Sequence, residues 1–506
     1  MRSVFPFFMQ FMNKNSFQDL VKGNYGRKIA YVNYDYVDES NVIDILGKTI
    51  GIFHHNKAAV KYLWDYKKGD QPALYRTKTI RDDIVNHVVE NHAWEIVRFK
   101  NAQTYGEPVQ LVSLSDKEEV NKAVDRLNRF FQAAGKELKD INSGEWTSAV
   151  GTGFKAITKK NGEIPFGMLV PTPMNTYIVY SRYTQEPLLA VQELRDENEQ
   201  QYYLCFSDTH EYKVQNSQLQ PLSFSNDGSV VYSRLHAWGG IPIIEYPNNQ
   251  DRISDIELVI TMLDAINGMQ SNRMDAIEQF VQSWVKFVNC DIDEDTFKKM
   301  KMMGALVVKS NNGAENKADV DVMSQELSQT ESQVAKDDLW DNVLAISAIP
   351  SREMAATGGD TQGAVSLRNG WDVSKQAAKI KDAYIKTGDK QLALLVQNRI
   401  RIATGENLGL GIFDFEIQVS HNPLDNLMTK VEALKMLIEC GIHPLVAIKV
   451  CGIWADAENV YLMSEEYLDK MIYKTVDNVE EQIQKAEGIM NEEVRRTEHT
   501  ETVPTD

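Results

Sequence analysis

The hydrophobic pattern of the chain changes character near Asp251. Before that residue, helical patterns alternate with runs in which Val, Tyr and Leu alternate with polar residues. These runs are YIVYSRY from Tyr177, PLLAVQEL from Pro187, QYYLCFSD from Gln201 and SVVYSRL from Ser229. Such alternation is typical of half-buried antiparallel strands. The first half of the chain is therefore predicted to be α+β.

Helices and one further strand are also predicted within this half. The run TIRDDIVNHVVENHAWEIV has helical spacing, with Ile84, Val88 and Val97 among its apolar positions. YGEPVQLVS then predicts a turn and a strand. Another helix is predicted over SDKEEVNKAVDRLNRFFQAAGKEL. Because Glu118 follows Ser115 at the spacing of a capping box, Ser115 is expected to be the N-cap of that helix.

From Asp251 onward, one apolar seam recurs at spacings of four and three residues. Its members are Ile256, Ile260, Leu263, Met274, Ile277, Val281, Trp284 and Val288. This period of 3.5 residues predicts a helix over 251–286 that packs side by side with other long helices. Asn267 and Gln270 interrupt the seam, and we expect them to face polar partners or water.

Beyond this helix the pattern predicts a small insert and a returning helix. Residues 287–325 contain a short helical pattern and then two strand patterns, and a second helix is predicted over 326–348, ended by Pro350. The glycine-rich stretch TGGDTQG follows. The next helix is predicted over 362–386. Gly388 is expected to interrupt the helical pattern, which resumes in QLALLVQNRIRIA. FDFEIQVS then predicts one more strand.

The C-terminal part is predicted to be all-helical. The helix over NLMTKVEALKMLIECG closes at Gly441 as a C′ residue, and Pro444 opens a second short helix that Gly452 ends. A third helix is predicted over 456–473. After Glu492 the chain is polar and lacks periodicity, which predicts disorder.

Composition narrows the function classes. The chain has 506 residues, of which 43% are hydrophobic, and its formal net charge is −18. Coating nucleic acid requires surfaces rich in Lys and Arg, so this acidity argues against that role. One block is an exception, because residues 366–401 hold 8 Lys or Arg and 3 Asp, a net charge of +5. No window approaches about 18 consecutive apolar residues, so no membrane span is expected.

The cysteines and the apolar start of the chain suggest no special chemistry. Cys205, Cys290, Cys440 and Cys451 form no CxxC pair, and we expect them to be reduced, small core residues. The start, VFPFFMQFM, is too short to span a membrane and is expected to dock on a neighbouring surface.

Three local motifs suggest chemistry, and each lacks part of its pattern. In HVVENH, His87 and His92 are five residues apart, whereas zinc-binding motifs of this kind place two His four apart. The helical hairpin near the C-terminus offers only Lys449 to DNA bases, which favours packing. TGGDTQG has no buried strand before it and no lysine before Lys375, so a mobile loop is favoured over a phosphate site. The residues alone therefore indicate an assembly protein without metal or cofactor, rather than an enzyme.

Several stretches of the chain carry a family resemblance. They are KNAQTYGEPVQLVS, VPTPMNTYIVYSRYTQEPLLAVQEL, WGGIPIIEYPNNQDRISDIELVITMLDAINGMQSNRMDAIEQF, GGDTQGAVSLRNGW and VEALKMLIECGIHPLVAIKVCG. Their order resembles the portal proteins, or head–tail connectors, of tailed double-stranded DNA bacteriophages, in the branch typical of siphophages of Gram-positive hosts. In the fourth stretch Gln362 and Arg368 depart from the Ser-Gly-Val-Ala-Leu-Lys-type run of that family.

The resemblance implies a predominantly helical α+β portal fold, assembled as a ring around a central channel and dodecameric in the virion. Its parts would follow the chain as an N-terminal wing (1–250), stem helix 1 (251–286), clip (287–325), stem helix 2 (326–348), tunnel loop (349–363), wing return (364–425), crown (426–492) and disordered tail (493–506).

The resemblance also indicates candidate residues. Those of the tunnel loop are Met354, Thr357, Gly358, Gly359, Asp360 and Thr361. Basic residues that could face DNA are Arg368, Lys375, Lys379, Lys381 and Lys386, although solvated or intersubunit lysines are an alternative. Those of the clip that could bind a partner are Lys298, Lys299 and Lys301.

The implied partners are those of a capsid vertex. They are the terminase large subunit, a head-completion or adaptor protein, the major capsid and scaffolding proteins, and double-stranded DNA that passes without sequence specificity. Assembly in the host cytoplasm, without a membrane, is expected. Two alternatives stay open: a non-conducting structural adaptor or coiled-coil scaffold, and an enzyme that uses TGGDTQG as a phosphate site.

Overall fold

The fold is taken from a computed structural model of the chain. It describes residues 17–21, 24–79, 82–115, 117–224, 230–281, 284–288, 295, 298, 319–323, 329–351, 370–421, 427–454, 457, 459–464 and 467. The apolar start, most of the predicted tunnel loop, most of the predicted clip and the predicted tail therefore lie outside the described residues.

Helices and strands alternate through the first half, and helices dominate the second. The helices are α1 (Phe17–Val21), α2 (Val42–Lys67), α3 (His92–Tyr105), α4 (Glu118–Ala133), α5 (Lys136–Val150), α6 (Ile260–Val281), α7 (Gln329–Ile346), α8 (Trp371–Thr404), α9 (Leu427–Glu439) and α10 (Pro444–Cys451), with a 3-10 turn at Pro72–Tyr75.

The strands are short, and most of them fall in the first half. They are β1 (Ala30–Val32), β2 (Gln110–Ser113), β3 (Thr152–Lys159), β4 (Phe166–Leu169), β5 (Thr176–Ser181), β6 (Pro187–Arg195), β7 (Gln201–Phe206), β8 (His210–Gln215), β9 (Gln218–Gln220), β10 (Ser223–Phe224), β11 (Val230–Val231), β12 (Ser233–Leu235), β13 (Ile243–Pro247), β14 (Trp284–Val288), β15 (Asp319–Met323) and β16 (Phe415–Gln418). The prediction of an α+β fold is confirmed.

The largest sheet has the strand order β1-β5-β6-β7-β8-β12, with β9 paired to β8. Strands β5 to β8 form an antiparallel meander, as their alternating pattern predicts. Only β1 within this sheet runs parallel to its neighbour, with Ala30 opposite Val179. The apolar face of the sheet, including Leu189 and Cys205, packs against α2 through Ile45 and Phe53.

A second core lies around α8. The three-stranded sheet β13-β3-β4 and the two-stranded sheet β16-β2 contribute to it, together with α4. Leu392 and Val396 of α8 pack there with Phe131, Phe166 and Phe415. The helix that follows the predicted tunnel loop is thus buried in the body of the protein.

A buried ionic cluster fixes α8 against α5 and β3. Lys155 Nζ lies 2.8 Å from Asp389 Oδ1 and also contacts Asp140, while Lys136 Nζ lies 2.7 Å from Asp389 Oδ2. The Tyr246 hydroxyl donates to Asp389 at 2.8 Å. Burial opposes ionisation, but the two ammonium groups outweigh it and lower the pKa of Asp389. Removing one member of such a cluster leaves an uncompensated buried charge, which costs about 3–5 kcal/mol.

Two helix starts differ from the prediction. The chain before His92 is not helical in its described part, so the helix predicted from Thr79 begins only at His92. The N-cap of α4 is Lys117 rather than Ser115, whose Oγ instead accepts a weak hydrogen bond from the Lys117 N–H at 3.3 Å. Both predictions were wrong for the same reason. The spacing of nearby residues was read as helical in a segment whose backbone makes other hydrogen bonds.

The first long helix is shorter than predicted at its N-terminal end. Residues 251–259 form irregular turns, in which the Val259 N–H donates to the Ile256 carbonyl. Bonds that span three residues in this way tighten the chain beyond an α-helix. The helix proper begins at Ile260.

The same helix is also shorter at its C-terminal end. It stops at Val281, and Trp284–Val288 form strand β14, which pairs antiparallel with β15. The predicted stem helix over 251–286 is therefore wrong beyond Val281, because the apolar seam continued into a strand of Trp, Val and Phe.

Gly388 does not interrupt α8, contrary to the prediction. The helix is continuous from Trp371 to Thr404, and a Cβ at Gly388 would lie 2.5 Å from the Tyr246 ring. Glycine is needed here because a helix and a strand residue approach closely, a contact that local spacing does not reveal.

The C-terminal hairpin agrees with the prediction. Gly441 has a φ of 82° after α9, Pro444 opens α10, and Gly452 ends it in the left-handed region. Described residues between 457 and 467 are helical. Among the cysteines, Cys205 and Cys451 are buried as expected, Cys440 is exposed, which corrects the expectation, and Cys290 lies outside the described residues.

Two glycine substitutions test the helix contacts. Gly388→Ala should lower the free energy of unfolding by about 1–3 kcal/mol, because overpacking against Tyr246 outweighs the gain in helix propensity. Gly268→Ala in α6 is the matched control, since nothing lies within 4 Å of a Cβ there, and it should be neutral or stabilising by up to ~1 kcal/mol. Urea unfolding of both variants measures this, and equal effects would contradict the packing role of Gly388.

Candidate functional site

Helices α6 and α7 pack against each other and form the predicted pair of long helices. Their root lies in an apolar core that also contains α2 and α3. Ile260, Leu263 and Ile266 of α6 are buried there together with Val343 of α7. Full burial of each such side chain stabilises by about 1.5–3 kcal/mol. Among the described side chains, hydrophobic burial therefore fixes the pair at its root.

Further along α6 the buried side chains are polar. Asn267, Ser271 and Asp275 are almost fully buried, whereas Met274 and Ile277 of the predicted seam are exposed. The helix thus buries a polar stripe with a spacing of four residues. The expectation that Asn267 faces polar partners is confirmed, because its side chain contacts Gln71 and the backbone of residue 90. Met274 and Ile277 are therefore exposed on the subunit rather than packed in its core.

The partner of this stripe is the extended segment 84–91. Every second backbone N–H of the segment donates to a side chain of α6, and we call these contacts the polar ladder. Its three rungs are Asn86 to Asp275 at 2.6 Å, Val88 to Ser271 at 3.0 Å and Glu90 to Asn267 at 2.8 Å. The Ser271 hydroxyl also contacts the Val88 carbonyl at 3.3 Å.

The polar ladder follows from two matching repeats. Two residues of an extended chain advance by about 6.6 Å, and four residues of an α-helix advance by about 6.0 Å. An extended segment that runs antiparallel to a helix can therefore place alternate N–H groups against every fourth side chain. Since a buried backbone N–H must find an acceptor, the ladder satisfies the segment without a neighbouring strand.

Asp275 anchors the outer end of the polar ladder. Its Oδ2 lies 2.5 Å from Lys78 Nζ and 3.0 Å from Arg76 Nη2. Burial opposes its ionisation, but hydrogen bonds from Lys78 and Asn86 and the charge of Arg76 lower the pKa of Asp275. One carboxylate thus holds the chain on both sides of residues 79–84 against α6.

Glu90 anchors the inner end and joins three helices. Its side chain accepts from Gln270 of α6, from Lys336 Nζ of α7 at 2.9 Å, and from His92 Nε2 at the start of α3 at 3.0 Å. The bond from His92, with those from Gln270 and Lys336, overcomes burial and lowers the pKa of Glu90 to about 2. The expectation that Gln270 faces a polar partner is confirmed.

A second set of charges holds the turns that lead into α6. Glu257 is fully buried and pairs with Arg27. Its carboxylate also accepts from the N–H of Gly26 at 2.9 Å and of Ser254 at 3.1 Å. Ser254 and Glu257 have the spacing of a capping box, so the root of the helix pair begins from a fixed backbone.

Lys381 of α8 also reaches these turns. Its Nζ lies 3.6 Å from Asp255 Oδ2, and its side chain is only 13% exposed. Burial opposes ionisation of Asp255, but the charges of Lys381 and Lys100 lower the pKa of Asp255. Within the predicted DNA-facing set, Lys381 is thus largely committed to an internal contact.

The other predicted basic residues have different positions. Lys379 is exposed on α8, whereas Lys375 and Lys386 are half-buried. Lys375 also has an interaction with another group. Arg368 lies outside the described residues. The role of Lys375, Lys379 and Lys386 at a DNA-facing surface stays a prediction.

The predicted clip and tunnel loop are described only in part. Lys298 is helical, exposed and has an interaction partner, while Lys299 and Lys301 fall outside the described residues. Strands β14 and β15 pair at the far end of α6 and α7, with Trp284 opposite Met323. The tunnel-loop residues Met354, Thr357, Gly358, Gly359, Asp360 and Thr361 also lie outside the described residues.

The motif HVVENH has a structural role. His87 Nδ1 lies 3.1 Å from the Ala73 carbonyl, and His92 contacts Glu90 and Glu95. In the described part of the chain, no group of three or more His, Cys, Asp or Glu side chains could hold a metal ion. Among those same residues, no helix is long and apolar enough to cross a membrane.

The polar ladder was not predicted from the sequence. One signal was present, since Asn267, Ser271 and Asp275 repeat every four residues within a predicted helix. The segment 84–91 carried no corresponding signal, because its backbone makes the contacts and its side chains resemble a helical pattern.

Substitutions of Asp275 test the polar ladder. Asp275→Ala should lower the free energy of unfolding by about 3–5 kcal/mol, since Arg76, Lys78 and the Asn86 N–H lose a buried acceptor. Asp341→Ala on the exposed side of α7 is the control and should change it by less than ~0.5 kcal/mol. Denaturant unfolding gives both values, and a neutral Asp275→Ala would argue against the ladder.

Three solved structures resemble the chain with TM-scores of 0.43, 0.42 and 0.40. The first, the virion of a native gene transfer agent particle, has 10% identity and covers 78% of this chain and 93% of its own. The second, the neck of the empty particle computed with C6 symmetry, has 10% identity and covers 72% and 90%.

The third structure, the neck of the native particle computed with C12 symmetry, has 11% identity and covers 72% of this chain and 89% of its own. No curated protein matches the chain. The family described as "Phage portal protein, SPP1 Gp6-like" matches residues 47–423, from within α2 to beyond β16. Since this match spans most of the 506 residues, the chain belongs to the phage portal protein family.

Proposed function

We propose that the protein forms a closed ring at one vertex of a phage capsid, through which DNA is packaged and later ejected. The observation that carries this proposal is the family match over residues 47–423, which includes both long helices and α8. The portal family is a structural, non-enzymatic family.

In this proposal the parts of the subunit follow the described elements. Helices α6 and α7 form the stem, and β14 with β15 begins the clip at 287–325. The wing comprises the N-terminal half together with the return at 364–425, and α9 and α10 belong to the crown at 426–492. The tunnel loop at 349–363 would connect stem and wing return.

Electrostatics supports a channel in which DNA slides. Twelve copies of a chain with net charge −18 would carry −216, a field that repels phosphate overall. Lys379 is the most exposed of the proposed DNA-facing lysines that the structure describes. Sparse basic contacts within an acidic ring would guide the duplex without holding it.

The crown helices expose the apolar surface that a ring contact needs. Val450 is 69% exposed on α10, and Met436 on α9 and Trp454 beyond α10 are also exposed. Contiguous exposed apolar side chains mark protein–protein contacts. We propose that neighbouring subunits cover this surface.

The proposed setting is that of a portal vertex in a tailed phage of the siphophage type with a Gram-positive host. The ring would assemble in the host cytoplasm with major capsid and scaffolding proteins, as a dodecamer in the virion. It would dock the terminase large subunit during packaging and a head-completion or adaptor protein afterwards, with Lys298, Lys299 and Lys301 in the clip as contact candidates.

Mass measurement tests the ring and its crown contact. The purified protein should sediment as a closed oligomer, and Val450→Glu should weaken that oligomer because a charge enters an apolar contact. Val450→Ile keeps the surface apolar and should assemble like the original protein. A stable monomer at high concentration would contradict the ring, whereas a ring unaffected by Val450→Glu would contradict only the crown contact.

Restricting the proposed tunnel loop tests its part in DNA passage. Gly358→Pro should leave ring assembly intact and reduce packaging, because proline removes backbone freedom. Gly358→Ala is the milder comparison. Packaged DNA length and phage yield measure the effect, and unchanged values with Gly358→Pro would show that the loop assignment is wrong.

A further inference from the structure

His92 lies where the segment 84–91 meets α3 and the helix pair. Its Nε2 is 3.0 Å from Glu90 Oε2, and its Nδ1 is 3.1 Å from Glu95 Oε2. Its ring stacks on Trp340 of α7, with centroids 3.9 Å apart and an angle of 28° between the planes. The imidazole therefore touches the inner end of the polar ladder and α7 at once.

This geometry fits only one protonation state of the ring. A neutral imidazole has one N–H donor and one acceptor nitrogen, so one of its nitrogens would face a carboxylate oxygen without a proton between them. The imidazolium donates from both nitrogens and satisfies Glu90 and Glu95 together. A cation stacked on an indole is also favoured over a neutral ring.

We propose that protonated His92 is a clasp between α7 and the body of the subunit, and that loss of its proton loosens the helix pair. Deprotonation removes one of the two bonds to Glu90 and Glu95 and the cationic part of the contact with Trp340. If the remaining proton is on Nδ1, Glu90 keeps Lys336 and Gln270 but loses its bond to His92, and if it is on Nε2, Glu95 loses its bond instead. The proposal rests on these contacts and does not require the portal function.

The direction of the pH effect follows from the groups that face His92. Burial disfavours its charge, but the carboxylates of Glu90 and Glu95 outweigh burial and raise the pKa of His92 above its usual value. Lys336 of α7 also faces this group, because its Nζ lies 2.9 Å from the other oxygen of Glu90. The stabilising contribution is fully present below pH ~6.5 and is lost as pH rises through the raised pKa.

Hydrogen exchange of the full-length protein tests the clasp directly. Exchange at the imidazole carbon, followed by mass spectrometry as a function of pH, reports the titration of each histidine. His92 should titrate above ~6.5. His87, whose Nδ1 lies 3.1 Å from the Ala73 carbonyl, is measured in the same experiment as the internal comparison. Titration of His92 at or below ~6.5 would overturn the proposal, and this measurement needs no variant.

Amide exchange then tests the mechanical consequence. After correction for intrinsic rates, peptides from 84–91 and α7 should lose protection between pH 6 and pH 9, whereas peptides from α9 should not. His92→Gln, which cannot be protonated, should show the reduced protection at both pH values, and His87→Gln should behave like the original protein. A pH response that persists in His92→Gln would contradict the clasp, even if His92 titrates as expected.

Discussion

The structure depends on the polar ladder between the segment 84–91 and α6. A helix that leaves the apolar core cannot be held by hydrophobic burial along its whole length. Here the N–H groups of Asn86, Val88 and Glu90 meet polar side chains at every fourth position of α6. Matching repeats of extended chain and helix make this possible, and the apolar residues Met274 and Ile277 of the same helix remain exposed.

Buried charges complete what the ladder begins. Glu257 with Arg27 fixes the turns before α6, Asp255 with Lys381 connects those turns to α8, and a cluster around Asp389 fixes α8 to the sheet. Each group is compensated by an opposite charge, so each contact is specific in register. A displacement of the helix pair would therefore disturb the ion pairs at its root. Loss of those ion pairs would likewise allow the helix pair to shift.

Local signals made part of this fold predictable. Alternation identified β5 to β8, and Gly441 and Pro444 identified the C-terminal hairpin, because these features depend on neighbouring residues alone. The helical end at Val281 and the extended segment before His92 were missed, because each depends on a partner far away in sequence. Gly388 was misjudged for the same reason, since its partner Tyr246 lies in another element. Helix pairing and the polar partners of Asn267 and Gln270 were foreseen, but the ladder itself was not.

Electron cryomicroscopy of the purified, assembled protein tests the central claim most directly. The account predicts a closed ring with a central channel, in which α6 and α7 of every subunit surround the axis and the polar ladder remains formed. An assembly without a channel, or a ring in which the helix pair lies away from the axis, would contradict it.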